Sequence, residues 1–146
     1  MRLTPKVMEN PMKLYSYLNF NGNCRAAFDY YSQHLGGKIT MMLTHEQAPF
    51  SDQVPTDWKN AILHARMSIG ETELLAADIP NAQPMRSAYL TVMVDSIDEA
   101  ERIYAALSVG GEIFMPMAET PFAVRFAQVR DRFSMNWMIL HERPRP

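Results

Sequence analysis

AAFDYYSQHLGGKI, residues 26–39, and EAERIYAALSVGGEI, residues 99–113, share one pattern. Each carries an apolar stripe at helical spacing: Ala27, Tyr30 and Tyr31, His34 and Leu35 in the first, and Ala100, Ile103 and Tyr104, Leu107 in the second. Each stripe runs into a Gly-Gly pair, then a charged residue, then an isoleucine that opens a strand. Glycine suits a helix end because, lacking a Cβ, it enters the left-handed conformation without steric cost. Upstream, YSYLNF (15–20) alternates as a strand does, and YLTVMV (89–94) is rich in strand formers. Ser96 and Glu99 are spaced as a capping box for the second helix. Tyr15 and Tyr89 are 74 residues apart, and so are Gly36 and Gly110. Two unrelated elements with one offset mark an internal duplication.

Each half adds three more strands, at about 39–45, 61–69 and 73–79 in the first and about 112–117, 122–130 and 136–142 in the second. The expected fold is α+β: two tandem β-α-β-β-β modules whose curved mixed sheets enclose a cleft. Module 1 spans about 13–79, the Pro-containing linker about 80–86, and module 2 about 87–143, with residues 1–11 as an extension ahead of them. A length of 146 residues is therefore one domain made of two halves, each too small to be stable alone. The loop from Gln47 to Lys59, with Pro49, Asp52, Pro55 and Asp57, is expected to be exposed and mobile.

Composition narrows the function. With 47% hydrophobic residues and 14 basic against 16 acidic side chains, the chain is globular and has no bulk positive charge for nucleic acid. No run approaches the roughly 18 apolar residues of a membrane span. The single cysteine, Cys24, excludes an internal disulfide and a multi-thiolate metal site. A cytoplasmic protein is the expectation.

Several pieces together resemble a known family: Phe20-Asn21-Gly22-Asn23-Cys24, Tyr30-Tyr31, Leu35-Gly36-Gly37, His64-Ala65, Asp78 before Pro80, and Glu119-Thr120 through Asp131, Phe133 and Trp137. Over about residues 13–142 they are similar to the vicinal-oxygen-chelate superfamily of glyoxalase I, bleomycin-resistance proteins and extradiol dioxygenases. The closest likeness is to its PhnB-like branch, often labelled demethylubiquinone methyltransferase-like. Nothing in the chain resembles the glycine-rich first loop of a nucleotide-cofactor fold, so the methyltransferase label is not carried over. The resemblance implies paired modules, a homodimer and a small-molecule cleft. Where metalloenzymes of the superfamily place His, Gln or Glu, this chain has Tyr15 or Tyr17, Ala76 or Ala77, Tyr89 and Met138. The expectation is a cleft with no metal and no other cofactor.

The candidate site residues follow. Tyr15, Tyr17, Tyr89, Phe122, Arg125, Trp137 and Met138 lie on strands expected to border the cleft and are candidates for ligand binding. Arg125 either meets an anionic ligand or faces solvent by alternation, and Arg66 has the same two readings. His64 and Asp78, on adjacent predicted strands, are either a general base with its orienting carboxylate or a barrel histidine and a turn cap. Cys24 reads as a small buried residue at a tight corner. The leading function is binding of a small aromatic or anionic metabolite. The alternative is a glyoxalase- or dioxygenase-type lyase or isomerase, metal-dependent or using His64 as base.

Overall fold

The two Gly-Gly pairs do end helices, and the two glycines of a pair do different work. Helix α1 (Cys24–Leu35) stops at Gly36, whose φ of 75° is left-handed. Helix α2 (Ile97–Ser108) stops one residue earlier relative to its pair, at Val109, and Gly110 takes the left-handed φ of 70°. The second glycine is there for closeness: a Cβ at Gly37 would collide with the Met67 side chain, and one at Gly111 with the Arg130 carbonyl. The Ser96 hydroxyl caps α2 by accepting from Glu99 N at 3.1 Å. The reciprocal half of the box is not made, because the Glu99 carboxylate pairs with Arg102.

The computed structural model describes residues 12–48 and 55–144. The extension expected at 1–11 and the middle of the 47–59 loop lie outside them. The first half contains β1 (Ser16–Phe20), α1, β2 (Lys38–Thr44), β3 (Ile62–Ile69) and β4 (Thr72–Asp78). The second contains β5 (Leu90–Met93), α2, β6 (Glu112–Thr120), β7 (Ala123–Arg130) and β8 (Asn136–Glu142). The sheets have matching orders, β1-β4-β3-β2 and β5-β8-β7-β6. The first and last strands of each half run parallel and the other neighbours antiparallel. The duplication expected from the sequence is thus present in topology. Both outer strands are bulged, β2 at two places and β6 at three, and β6 also contains Pro116.

Alternation sends one set of side chains to the helix and the other to an open face. On the helix side, Leu18, Phe20, Ala65, Met67, Leu74 and Ala76 pack with Ala27, Phe28 and Tyr31 of α1. In the second half Ala127, Val129, Trp137 and Ile139 pack with Ala100, Ile103 and Leu107 of α2. These form one core, and the join between halves is specific. Tyr31 of α1 donates its hydroxyl to Asp131, in the turn between β7 and β8. Trp137 Nε1 donates to the same carboxylate oxygen at 2.8 Å, while Phe133 N and Met135 N donate to the other at 2.8 and 3.0 Å. The Tyr31 ring meets Trp137 and Phe133 edge-on at 5.2 and 5.9 Å. Tyr30 donates to the Ala106 carbonyl, and Arg102 to that of His34 at 2.9 Å. In the same turn Ser134 takes a φ of 73°, a left-handed conformation that non-glycine residues adopt uncommonly.

The two sheets do not close on each other, so one chain does not enclose the expected cleft with its open faces. Those faces are uncovered and partly apolar. Tyr17 is 49% exposed, Met41 44%, Met93 58% and Met115 46%.

Candidate functional site

The open face of the first sheet is ordered by register. Tyr17 on β1 lies opposite Leu75 on β4, which lies opposite Arg66 on β3, which lies opposite Met41 on β2. These four form one row across the sheet. His64, two residues before Arg66 and therefore on the same face, lies opposite Leu43. Tyr17 Oη reaches His64 Nδ1 at 3.1 Å, and the rings sit 5.8 Å apart. Burial, with a smaller contribution from Cys24, raises the Tyr17 phenol above its ordinary pKa, so its proton stays on. When that O–H donates to Nδ1, the neutral imidazole carries its proton on Nε2; when Nδ1–H donates to the phenol oxygen, Nε2 is a free base. Arg66 Nη2 pairs with Glu73 at 3.3 Å, and Arg66 Nε has no protein partner.

His64 and Asp78 do not form the expected dyad. His64 faces the open side, whereas Asp78 continues the helix-side series of Leu74 and Ala76 and is 3% exposed. Its Oδ1 accepts from Gly22 N at 3.0 Å and Cys24 N at 2.9 Å, and its Oδ2 from Ile62 N at 2.8 Å. Asn23 makes no side-chain cap on α1, so Asp78 serves the helix start from across the fold. The carboxylate is occupied in holding β1, α1 and β3 together. Cys24 is fully buried beside it, and burial first, then the Asp78 charge, push its thiol up to about 12. It is the small buried residue at a tight corner that the sequence suggested.

Other candidates separate by strand parity. Trp137 points into the core, 2% exposed, and Arg125 turns toward α2 to pair with Glu101 at 3.5 Å. Both are corrected from ligand-facing to helix-facing. Met138 is on the open face of the second sheet, opposite Thr91. Phe122 sits exposed in the β6–β7 turn, 5.1 Å from Phe126. Tyr89 stacks edge-on with Phe114 just before β5, and Tyr15 is half-buried just before β1. A groove of about 760 Å³ runs between the first half's β1 and β4 and the second half's β5 and α2. Its lining includes Tyr89, Trp137, Leu90, Met93 and Glu73, but not the Tyr17–His64 pair. Asp131 was named in the closing motif, but its part in joining the two halves escaped the sequence reading. The available signal was an Asp at the head of Asp131-Arg132-Phe133-Ser134, positioned to accept from backbone N–H groups two and four residues on.

Residues 12–140 match the family described as 3-demethylubiquinone-9 3-methyltransferase. The chain belongs to this family. The protein YjdN of Escherichia coli strain K12 is 32% identical to it over 139 residues, covering 88% of this chain and 94% of that protein. The crystal structure of PA1353 from Pseudomonas aeruginosa superposes with a TM-score of 0.81 at 40% identity, covering 91% of this chain and 99% of that one. A glyoxylase/bleomycin resistance protein/dioxygenase domain from Frankia sp. EAN1pec gives a TM-score of 0.62 at 14% identity, covering 90% and 98%. The last likeness speaks for the fold: the family is built on the glyoxalase-type pair of modules.

Metalloenzymes on that fold draw their ligands from the first and last strands of each half, and register now sets which side chains hold those places. The open-face partners are Tyr17 with Leu75 and Thr91 with Met138. Leu75 thus replaces Ala76 and Ala77 in the set, and Thr91 replaces Tyr89. A phenol tied to His64, an alkyl group, a hydroxyl and a thioether are a poor set for a hard divalent ion. Among the described residues no group of three His, Cys, Asp or Glu side chains is arranged to hold a metal. The residues at these places do not fit a metal of that kind. Among the described residues no helix is long and apolar enough to cross a membrane.

Proposed function

We propose that the protein is a homodimeric, cytoplasmic small-molecule binder that takes an aromatic or anionic metabolite on the open face of its first sheet, without a metal. The observation that carries this reading is the Tyr17–His64 pair, held beside Arg66 and bordered by Met41, Leu43 and Leu75. Two orientable polar groups on an apolar floor match the usual make-up of a small-molecule site. The site is half-built in one chain, since a sheet face with a 49% exposed Tyr17 excludes little water. The second sheet's Met93, Met115 and Met138 form an adaptable apolar wall, and a second copy can lay that wall over the first sheet. The lone, buried Cys24 suits a reducing compartment.

One observation favours an enzymatic second reading. With Nδ1–H held by Tyr17, His64 Nε2 is placed to take a proton from a bound substrate. The test of both is a melting-temperature screen across a metabolite panel, with the oligomeric state and divalent-metal content measured on gently purified protein. Binding predicts upward shifts that His64→Gln abolishes, in a metal-free dimer. Stoichiometric metal refutes the metal-free reading, and a monomer refutes the shared cleft. Turnover of a stabilising compound, lost in His64→Gln with binding retained, selects the enzyme.

A further inference from the structure

The first sheet's open face has an excess of N–H donors. Arg66 lies one row position from Leu75 and shares its face with His64, two residues away on β3. Successive same-face residues of a strand are about 7 Å apart, so the two side-chain ends can converge on one small group. Glu73 takes Arg66 Nη2, which braces the guanidinium while leaving its Nη1 and Nε hydrogens uncommitted. Nε is buried as well as unpartnered, so the hydrogens that an incoming oxygen can meet are those at the Nη end of the guanidinium. His64 uses Nδ1 on Tyr17, and Nε2 has no protein partner among the described residues. Glu73, on the same face two residues before Leu75, is already spent on Arg66. Beyond the donors lie Met41, Leu43 and Leu75.

We propose that Arg66 and His64, with Tyr17 orienting the imidazole, bind the oxyanion head of a small organic acid, whose apolar body lies on Met41, Leu43 and Leu75. This rests on the open face being the ligand site and names the chemistry of its polar end. A guanidinium braced on one nitrogen is a fixed, permanently charged donor, and with His64 Nε2–H beside it two donors face one carboxylate, phosphate or phosphonate head.

The test compares three ligands with the same ring: benzoate, phenylphosphonate and benzamide, titrated calorimetrically into the full-length protein. The acids are expected to bind about ten-fold or more tightly than neutral benzamide. Arg66→Met brings the acids down to the benzamide level and leaves benzamide unchanged, while Arg66→Lys restores part of the difference. Glu73→Gln, which frees Nη2 and removes the competing carboxylate, makes both acids bind more tightly. That gain is one a merely structural arginine would not produce, and it stands even where Arg66→Met folds poorly. Whichever acid binds more tightly assigns the head as carboxylate or phosphonate. Benzamide binding as well as benzoate, with Arg66→Met silent, overturns the oxyanion site and leaves the small-molecule reading standing. Binding of none of the three overturns both.

Discussion

Replacing Asp131 with asparagine exchanges one oxygen for an NH2 group at the join between the two halves. The native carboxylate accepts from Phe133 N and Met135 N on one oxygen and from Tyr31 Oη and Trp137 Nε1 on the other. In Asp131→Asn the amide oxygen can keep the two backbone donors. The new Nδ2 then faces two donors. The Tyr31 hydroxyl can rotate to accept from it, but the indole N–H cannot, so one buried N–H is left without an acceptor beside a misplaced amide hydrogen. An unsatisfied buried donor costs about 1–3 kcal/mol, and the lost charge-assisted bond adds about 1 more, giving about 2–4 kcal/mol. That is a large share of the roughly 5–15 kcal/mol by which domains are stable. Asp131→Ala strands all four donors and should barely fold. Urea unfolding followed by the fluorescence of buried Trp137 and by circular dichroism measures the difference. Tyr31→Phe, alone and combined with Asp131→Asn, should give a coupling of about 1 kcal/mol. An Asp131→Asn variant within about 0.5 kcal/mol of the native protein would refute the reasoning. The same variant tests pH dependence. Burial raises the Asp131 pKa, with the Tyr31, Met135, Trp137 and Phe133 hydrogen bonds opposing. The folded chain then keeps this proton at a pH where the unfolded chain has lost it. Its stabilising share is full below the ordinary carboxylate range and falls as pH rises through the folded value. The deficit of Asp131→Asn should therefore narrow as pH rises from below the ordinary carboxylate range through and past it; a deficit that widens means the four hydrogen bonds outweigh burial.

Three further outcomes are expected. Asp78→Ala strands the N–H groups of Gly22, Cys24 and Ile62 and should cost about 3 kcal/mol or more in urea unfolding, whereas His64→Gln on the open face should stay within about 1 kcal/mol. Cys24, fully buried with its thiol pushed up to about 12, should react with a thiol-specific disulfide reagent at neutral pH only as fast as the protein unfolds. Fast labelling of folded protein would contradict its burial. Gly111→Ala drives a methyl group into the Arg130 carbonyl and should destabilise more than Gly36→Ala, which meets open space and bears only the left-handed φ, about 1 kcal/mol.

The architecture was legible because duplication repeats its punctuation. The Gly-Gly pairs and the strands before each helix lie at one 74-residue offset, and the eight strands fell within a few residues of their expected places. The site was legible only in part, because strand parity depends on pairing that no single strand encodes. Tyr17 and His64 were both named, and they meet. One of the two readings of Asp78 paired it with His64 because the two strands are neighbours. The pairing of Ala65 with Ala76 places the two residues on opposite faces. Trp137 and Arg125 were misplaced for the same reason, each by one position of alternation. The role of Asp131 at the join was missed because Tyr31, the partner that makes it a join, lies in the other half of the chain, 100 residues away.

The outer strands carry a consequence for how copies of this chain can meet. A regular, unpaired strand edge is a template on which further chains add without limit, as in fibrils. Here β6 is interrupted three times and lacks the N–H at Pro116, and β2 is interrupted twice. A main-chain ladder started on either edge runs out of register within a few residues. Open-ended growth by main-chain pairing is therefore blocked at the β2 and β6 edges of the two sheets.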